Sequence, residues 1–173
     1  MNLNRIPKNF IIVKGSGESD LARHPGSYHF ALKDANNIHK YNIINYSSVL
    51  HKDCDLLSLD EVDMPEHGSE LMCIMANAEG VQGDTINAGI IYAWLYSDED
   101  FEHKVGGFVC ELTNNGTSEQ LEERLYSVIN DGYDNTFKLE GLYIGEPNVV
   151  IESLRVEKRF GNALVSMCFI DFI

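Results

Sequence analysis

Apolar positions in this chain fall into short runs broken by glycine, asparagine and acidic stretches, a layout of many strands and few helices. Residues 9–13 (Asn-Phe-Ile-Ile-Val) read as a strand stopped by Gly15-Ser16-Gly17. That turn is a tight bend or, on a sharper reading, a cradle of backbone N–H groups for an anion. Residues 27–38 read as a short helix with Tyr28, Ala31, Leu32 and Ala35 on one face. A β-prone run from Tyr41 to Leu50 follows and carries Ser47-Ser48 near its end. Residues 71–78 form a buried strand, and Asp84 or Thr85 is placed to cap a helix over 86–96 with Ile86, Ile90, Ala93 and Trp94 as its stripe. Residues 104–112 are strand-like, and Asn114-Asn115-Gly116 signals a turn. Thr117 to Gln120 has the form of a capping box, opening an amphipathic helix to about Asn130. Leu121, Leu125, Val128 and Ile129 face inward there, and Gly132 falls just past the end. Strands at 136–144, 149–157 and 163–172 complete the pattern. Two long helices cannot cover six or seven strands in one flat layer, so a layered sandwich completed by neighbouring subunits is expected. No repeat or low-complexity linker divides the chain, so residues 1–173 read as one mixed α+β domain.

Composition narrows the partners. With 173 residues, 44% hydrophobic and 23% charged, the chain can bury a core without disulfides or metals. A net charge of −14 argues against nucleic acid or an anionic membrane as partner. The first residues lack an apolar signal segment and no run reaches membrane-spanning length, so a soluble, cytoplasmic protein is expected. Seven acids and no Lys or Arg lie between Asp53 and Glu70, which reads as a solvated loop; a calcium site is the alternative, without the usual ligand spacing. Cys54, Cys73, Cys110 and Cys168 form no CxxC pair; the last three sit in apolar runs as buried thiols, and Cys54 sits among acids that disfavour its thiolate. No metal is called for, because the six histidines have no paired ligand spacing.

The Ser47-Ser48 pair carries candidate chemistry of its own. A serine hydroxyl beside a peptide carbonyl is already tethered to its electrophile. Attack by Ser48 Oγ on the Ser47 carbonyl would turn the amide into an ester. Elimination would release residues 1–47 as a free carboxylate, and the dehydroalanine left at 48 would hydrolyse to a pyruvoyl ketone.

Several stretches, in order, resemble the pyruvoyl-dependent arginine decarboxylases from about Phe10 to Phe169. They are Val13-Lys14-Gly15-Ser16-Gly17-Glu18-Ser19, Phe30-Ala31-Leu32, Asn42 to Ser48, Gly83 to Ile90, Gly107-Phe108-Val109-Cys110-Glu111, and Glu152-Ser153-Leu154 with Phe160 to Leu164. The resemblance implies a four-layer αββα sandwich assembled as a homotrimer, or as two trimers paired into a hexamer, with active sites between subunits. It implies self-cleavage between Ser47 and Ser48 into fragments 1–47 and 48–173, Ser48 becoming the covalent pyruvoyl cofactor. Asn42 matches an asparagine close to the pyruvoyl and substrate. Glu111 matches a glutamate that gives or takes a proton, a role that its apolar neighbours Phe108, Val109 and Cys110 would favour by raising its pKa. The ketone would take the substrate's α-amine and draw off electrons as CO2 leaves, so arginine would yield agmatine.

On the substrate side the resemblance points to His29, Leu32 and Asp34. His29 stands where the family has an aspartate that holds the guanidinium, and an imidazole cannot replace that bidentate pairing. Asp34, one turn on, is the compensating candidate. The prolines that follow the cleavage serine in the family are absent from Val49-Leu50-His51-Lys52-Asp53. His29, His51 or Lys52 would suit another amino acid, even an acidic one. Three readings stand: an arginine decarboxylase, the same machinery on another amino acid, and an uncleaved, non-catalytic trimeric relative.

Overall fold

The computed structural model describes residues 5–173. The N-terminal reading therefore rests partly on residues 1–4, which lie outside the described residues. Ten strands and two α-helices follow along the described chain: β1 (Pro7–Ser19), α1 (Tyr28–Asp34), β2 (Asn42–Asn45), β3 (Val49–His51), β4 (Asp55–Leu56), β5 (Glu70–Val81), β6 (Thr85–Tyr96), β7 (Lys104–Asn115), α2 (Ser118–Gly132), β8 (Tyr143–Ile144), β9 (Asn148–Arg155) and β10 (Phe160–Phe172). One sheet has the order β2-β5-β10-β1-β4. The other runs β3-β7-β6, with β8 and β9 both pairing β6. The protein is mixed α+β, as its sequence pattern implies.

Strand alternation sorts the core into three clusters. Phe10, Ile74, Ala76, Val165, Met167 and Phe169 of the first sheet meet Ile90, Tyr92 and Val109 of the second. Ala31, Leu32 and Ala35 of α1 pack on Ile11, Val13, Leu71 and Leu164. Leu121, Leu125 and Ile129 of α2 cover Ile91, Ala93 and Phe108. Those three α2 side chains are fully buried, each contributing about 2 kcal/mol.

Residues 86–96 are strand β6, not a helix. Ile86, Ala88, Ile90 and Tyr92 face the other sheet, while Ile91, Ala93 and Leu95 face α2. A strand buried on both sides shows a continuous apolar run, which mimics a buried helix. Gly15 and Gly17 do not stop β1, which continues to Ser19. A Cβ at Gly15 would lie 2.4 Å from Ala35 N, and one at Gly17 2.4 Å from Ala31 N, so the glycines let α1 dock on the strand. Residues 136–144 are strand only at Tyr143–Ile144. Before that, Thr136 Oγ1 donates to Gly132 O and Asn135 Nδ2 to Asp131 O, and these bonds carry a helical turn through Tyr133–Phe137. Gly132 is accordingly helical, at φ −60°, and is the last residue of α2 instead of the one just past its end. Val128 is 40% exposed instead of inward. The Thr117–Gln120 capping box is formed as expected.

Among the described residues no helix is long and apolar enough to cross a membrane, which says nothing of a β-barrel. Cys54 is fully buried, its Sγ donating to Pro7 O at 2.8 Å; burial first, then Asp55 and Asp53, hold its thiol above the ordinary value.

Candidate active site

The serine pair lies where the chain first passes from one sheet to the other. β2 runs parallel to β5 until Asn45 faces Cys73, and Tyr46 N then donates to Cys73 O at 2.7 Å. On the far side Val109 N donates to Ser48 O at 3.0 Å, and β3 pairs β7 from Val49 opposite Phe108. β2 is the edge of the first sheet and β3 the edge of the second. The Ser47–Ser48 peptide is thus a short bridge tied at both ends to different sheets. The strand predicted to carry the pair stops before it. Within the bridge, Val49 N donates at 3.0 Å to Ser47 O, the carbonyl that Ser48 Oγ would attack. An N–H already on that oxygen stabilises the negative charge that develops there on attack.

Alternation along β7 turns Val109 and Glu111 toward the first sheet, while Phe108, Cys110 and Leu112 face α2. Glu111 lines an open groove of about 290 Å³ with Met75, Ala76, Asn77, Leu112 and Thr113. Its side chain still meets solvent, but partial burial raises its carboxyl above the usual carboxylate range. Hydrogen bonds from its own backbone and from the Ser48 side chain oppose that rise. Ser48 therefore lies near Glu111, and the upward shift biases the acid toward its protonated form, the form that can donate.

The remaining sequence candidates do not converge on this pair within the chain. Asn42 sits at the opposite end of β2 and donates through Nδ2 to Gly68 O at 2.7 Å. Leu32 is a core residue under α1. Asp34 Oδ2 accepts from Ser16 N at 2.9 Å, pinning the end of α1 to β1. His29 borders an apolar hollow with Leu21, Pro25 and Phe30, its ring 5.0 Å from that of His39. His39 Nδ1 is buried without a partner, and burial first, then His29, Lys40, Lys33 and His67, push its pKa down. His51 and Lys52 both turn to Asp53, at 3.6 and 3.9 Å. Among the described residues no group of three or more His, Cys, Asp or Glu is placed to hold a metal. Asn77 escaped the sequence reading; the available signal was an amide inside the apolar run 71–78.

Comparison with known families gives the class first: a decarboxylase family that works through a covalent pyruvoyl group. The model of the family described as pyruvoyl-dependent arginine decarboxylase matches residues 9–173. The chain belongs to that family, as the ordered motifs in its sequence indicate. No curated protein matches it.

Proposed function

We propose that the chain is a self-processing, pyruvoyl-dependent amino-acid decarboxylase, cut between Ser47 and Ser48, with arginine giving agmatine and CO2 as its reaction. One observation carries this reading: the Ser47–Ser48 peptide bridges two sheet edges with its carbonyl on Val49 N–H and Ser48 against Glu111.

In the first step Ser48 Oγ bonds to the Ser47 carbonyl carbon, the C–N bond breaks, and Ser48 nitrogen takes a proton. Loss of a proton from Ser48 Cα then expels Ser47 as a carboxylate and leaves dehydroalanine. Water replaces the nitrogen, which departs as ammonia, and residue 48 becomes the pyruvoyl group. Fragment 1–47 would stay in place, because β1 remains bonded along β10 and β2 along β5. The finished group supplies a carbonyl that condenses with the substrate amine and accepts the electron pair released with CO2. Glu111, its carboxyl shifted upward by partial burial, returns a proton to the substrate carbon.

The αββα stacking of α1, the two sheets and α2 is part of this reading, supported by the three core clusters. So is a homotrimer, alone or paired into a hexamer, in which a neighbouring subunit brings Asn42 and the α1 residues His29 and Asp34 to the Ser48–Glu111 pair. Their separation from that pair within one chain is what favours a shared site. A second reading, the same chemistry on another amino acid, is favoured by His29, which stands beside His39 with Lys33 one turn along α1. Both readings are tested by incubating the protein with single amino acids and cyanoborohydride. The expected result is that fragment 48–173 gains the mass of the accepted amino acid, or of its decarboxylated amine, less one oxygen (water lost on condensation, two hydrogens gained on reduction), while Ser48→Ala gains none. Failure to trap any common amino acid would sink the proposal.

A further inference from the structure

Buried polar side chains are costly unless hydrogen-bonded, so a fully buried polar chain leading to a groove calls for a reason. Ser27 and Asn162 are both fully buried. Ser27 Oγ donates to Asn162 Oδ1 at 2.6 Å, and Asn162 Nδ2 donates to Asn77 Oδ1 at 3.1 Å. Three elements distant in sequence meet in this relay: the residue before α1, the start of β10 and the middle of β5. An amide has one oxygen and one NH2, so the order of donors fixes each orientation. With Ser27 on its oxygen, Asn162 must offer its nitrogen to Asn77, and Asn77 must answer with its oxygen.

That sequence leaves the Asn77 NH2 as the open end of the relay. The described residues hold one buried side-chain nitrogen or oxygen without a partner, His39 Nδ1, so the Asn77 nitrogen is not sealed inside the protein. Asn77 lines the groove that Glu111 also lines, between β5 and β7. Met75, two residues earlier on the same side of β5, forms the adjoining wall and receives the Tyr28 hydroxyl on its sulfur at 3.9 Å.

We infer that Asn77 is a substrate-binding residue, its NH2 donating to a carboxylate oxygen of the amino acid in the Glu111 groove. This rests on the decarboxylase reading and adds the group that orients the substrate before CO2 leaves. A rigid amide suits that role because it offers a donor without a positive charge that would stabilise the departing carboxylate in the ground state.

Asn77→Ala and Asn77→Asp test this with three separate readouts, namely self-cleavage by intact mass, KM and kcat. Both variants are expected to cleave as the wild type does. For Asn77→Ala, KM rises about tenfold, the loss expected for one hydrogen bond to a charged group, with kcat within about twofold. Asn77→Asp, which replaces the donor by a like charge, raises KM further. Asn162→Ser frees the Asn77 amide to turn and reproduces part of the KM rise. An unchanged KM overturns the inference, as does a fall in kcat with a displaced pH profile, which would tie Asn77 to Glu111 instead. If the wild type never cleaves, the decarboxylase reading fails on its own. Saturation-transfer NMR with a mixture of common amino acids then probes the uncut protein. Binding that Asn77→Ala abolishes upholds the groove assignment, and no binding, or equal binding, overturns it.

Discussion

Two of the places where the chain crosses between its sheets, the end of β2 and the end of β5, are built differently. The second is an ordinary glycine turn capped by its own carboxylate and tied on its far side to Val156 through Gly83 N and Asp84 O, both at 2.9 Å. Gly83 adopts φ +96°, where a side chain would be strained, Asp84 N donates to Val81 O at 3.0 Å, and Asp84 Oδ2 accepts from Val81 N at 2.9 Å. The Ser47–Ser48 crossing has no glycine and no capping carboxylate of its own. It is held by Cys73 on one sheet and Val109 on the other, with Glu111 set against it. A turn whose shape comes from its own glycine and carboxylate loses that shape when cut, whereas a bridge tied to a different sheet at each end keeps its geometry when its central peptide is cut. Under the proposed function, that difference separates a connection that folds the chain from one that is spent in making a cofactor.

Breaking the chemistry of the first crossing has the largest expected effect. Glu111→Gln should lower kcat about 100-fold or more in whatever fraction is cleaved, measured by CO2 release. The same residue sets a pH dependence. Its raised pKa means that wild-type activity, which needs the protonated acid, falls as pH climbs from the usual carboxylate range through that raised value; the glutamine variant should lack this limb. Stability has the same sign: the folded state holds the proton more tightly, so wild-type melting temperature drops relative to Glu111→Gln over that window. A wild type that gained stability there would contradict the assigned direction.

Next in size, His29→Asp should raise kcat/KM for arginine about tenfold in cleaved protein, by restoring a carboxylate to pair with the guanidinium. No gain would count against His29 as the substrate-facing position. At the second crossing, Gly83→Ala should cost about 1 kcal/mol by denaturant unfolding, with self-cleavage unchanged. Slowed cleavage there would mean that the two crossings are coupled. Thr117→Ala, which removes the N-cap of α2, should cost about 1 kcal/mol or less and leave processing untouched.

Local chemistry was legible in the sequence and distant support was not. The Thr117–Gln120 capping box and the apolar face of α1 announce themselves because their partners lie within a turn. Glycines 15 and 17 read as a turn because nothing in the sequence says that Ala31 and Ala35 will lie against them. β6 reads as a helix because covers on both faces erase the alternation that marks a strand. Ser47, Ser48 and Glu111 were found through the order of family motifs, since serine pairs are common and Glu111 alone resembles any strand carboxylate. Asn77 and Asn162 are 85 positions apart, and their relay exists only after β5 and β10 have paired.

The most direct test of the central claim is a denaturing intact mass of the purified protein beside Ser48→Ala. The account predicts two species, residues 1–47 and a larger fragment 48–173 with no free amino terminus, and a single full-length chain for the variant. A wild type that stays one chain after prolonged warm incubation would contradict it and leave a family member that keeps the bridge without cutting it.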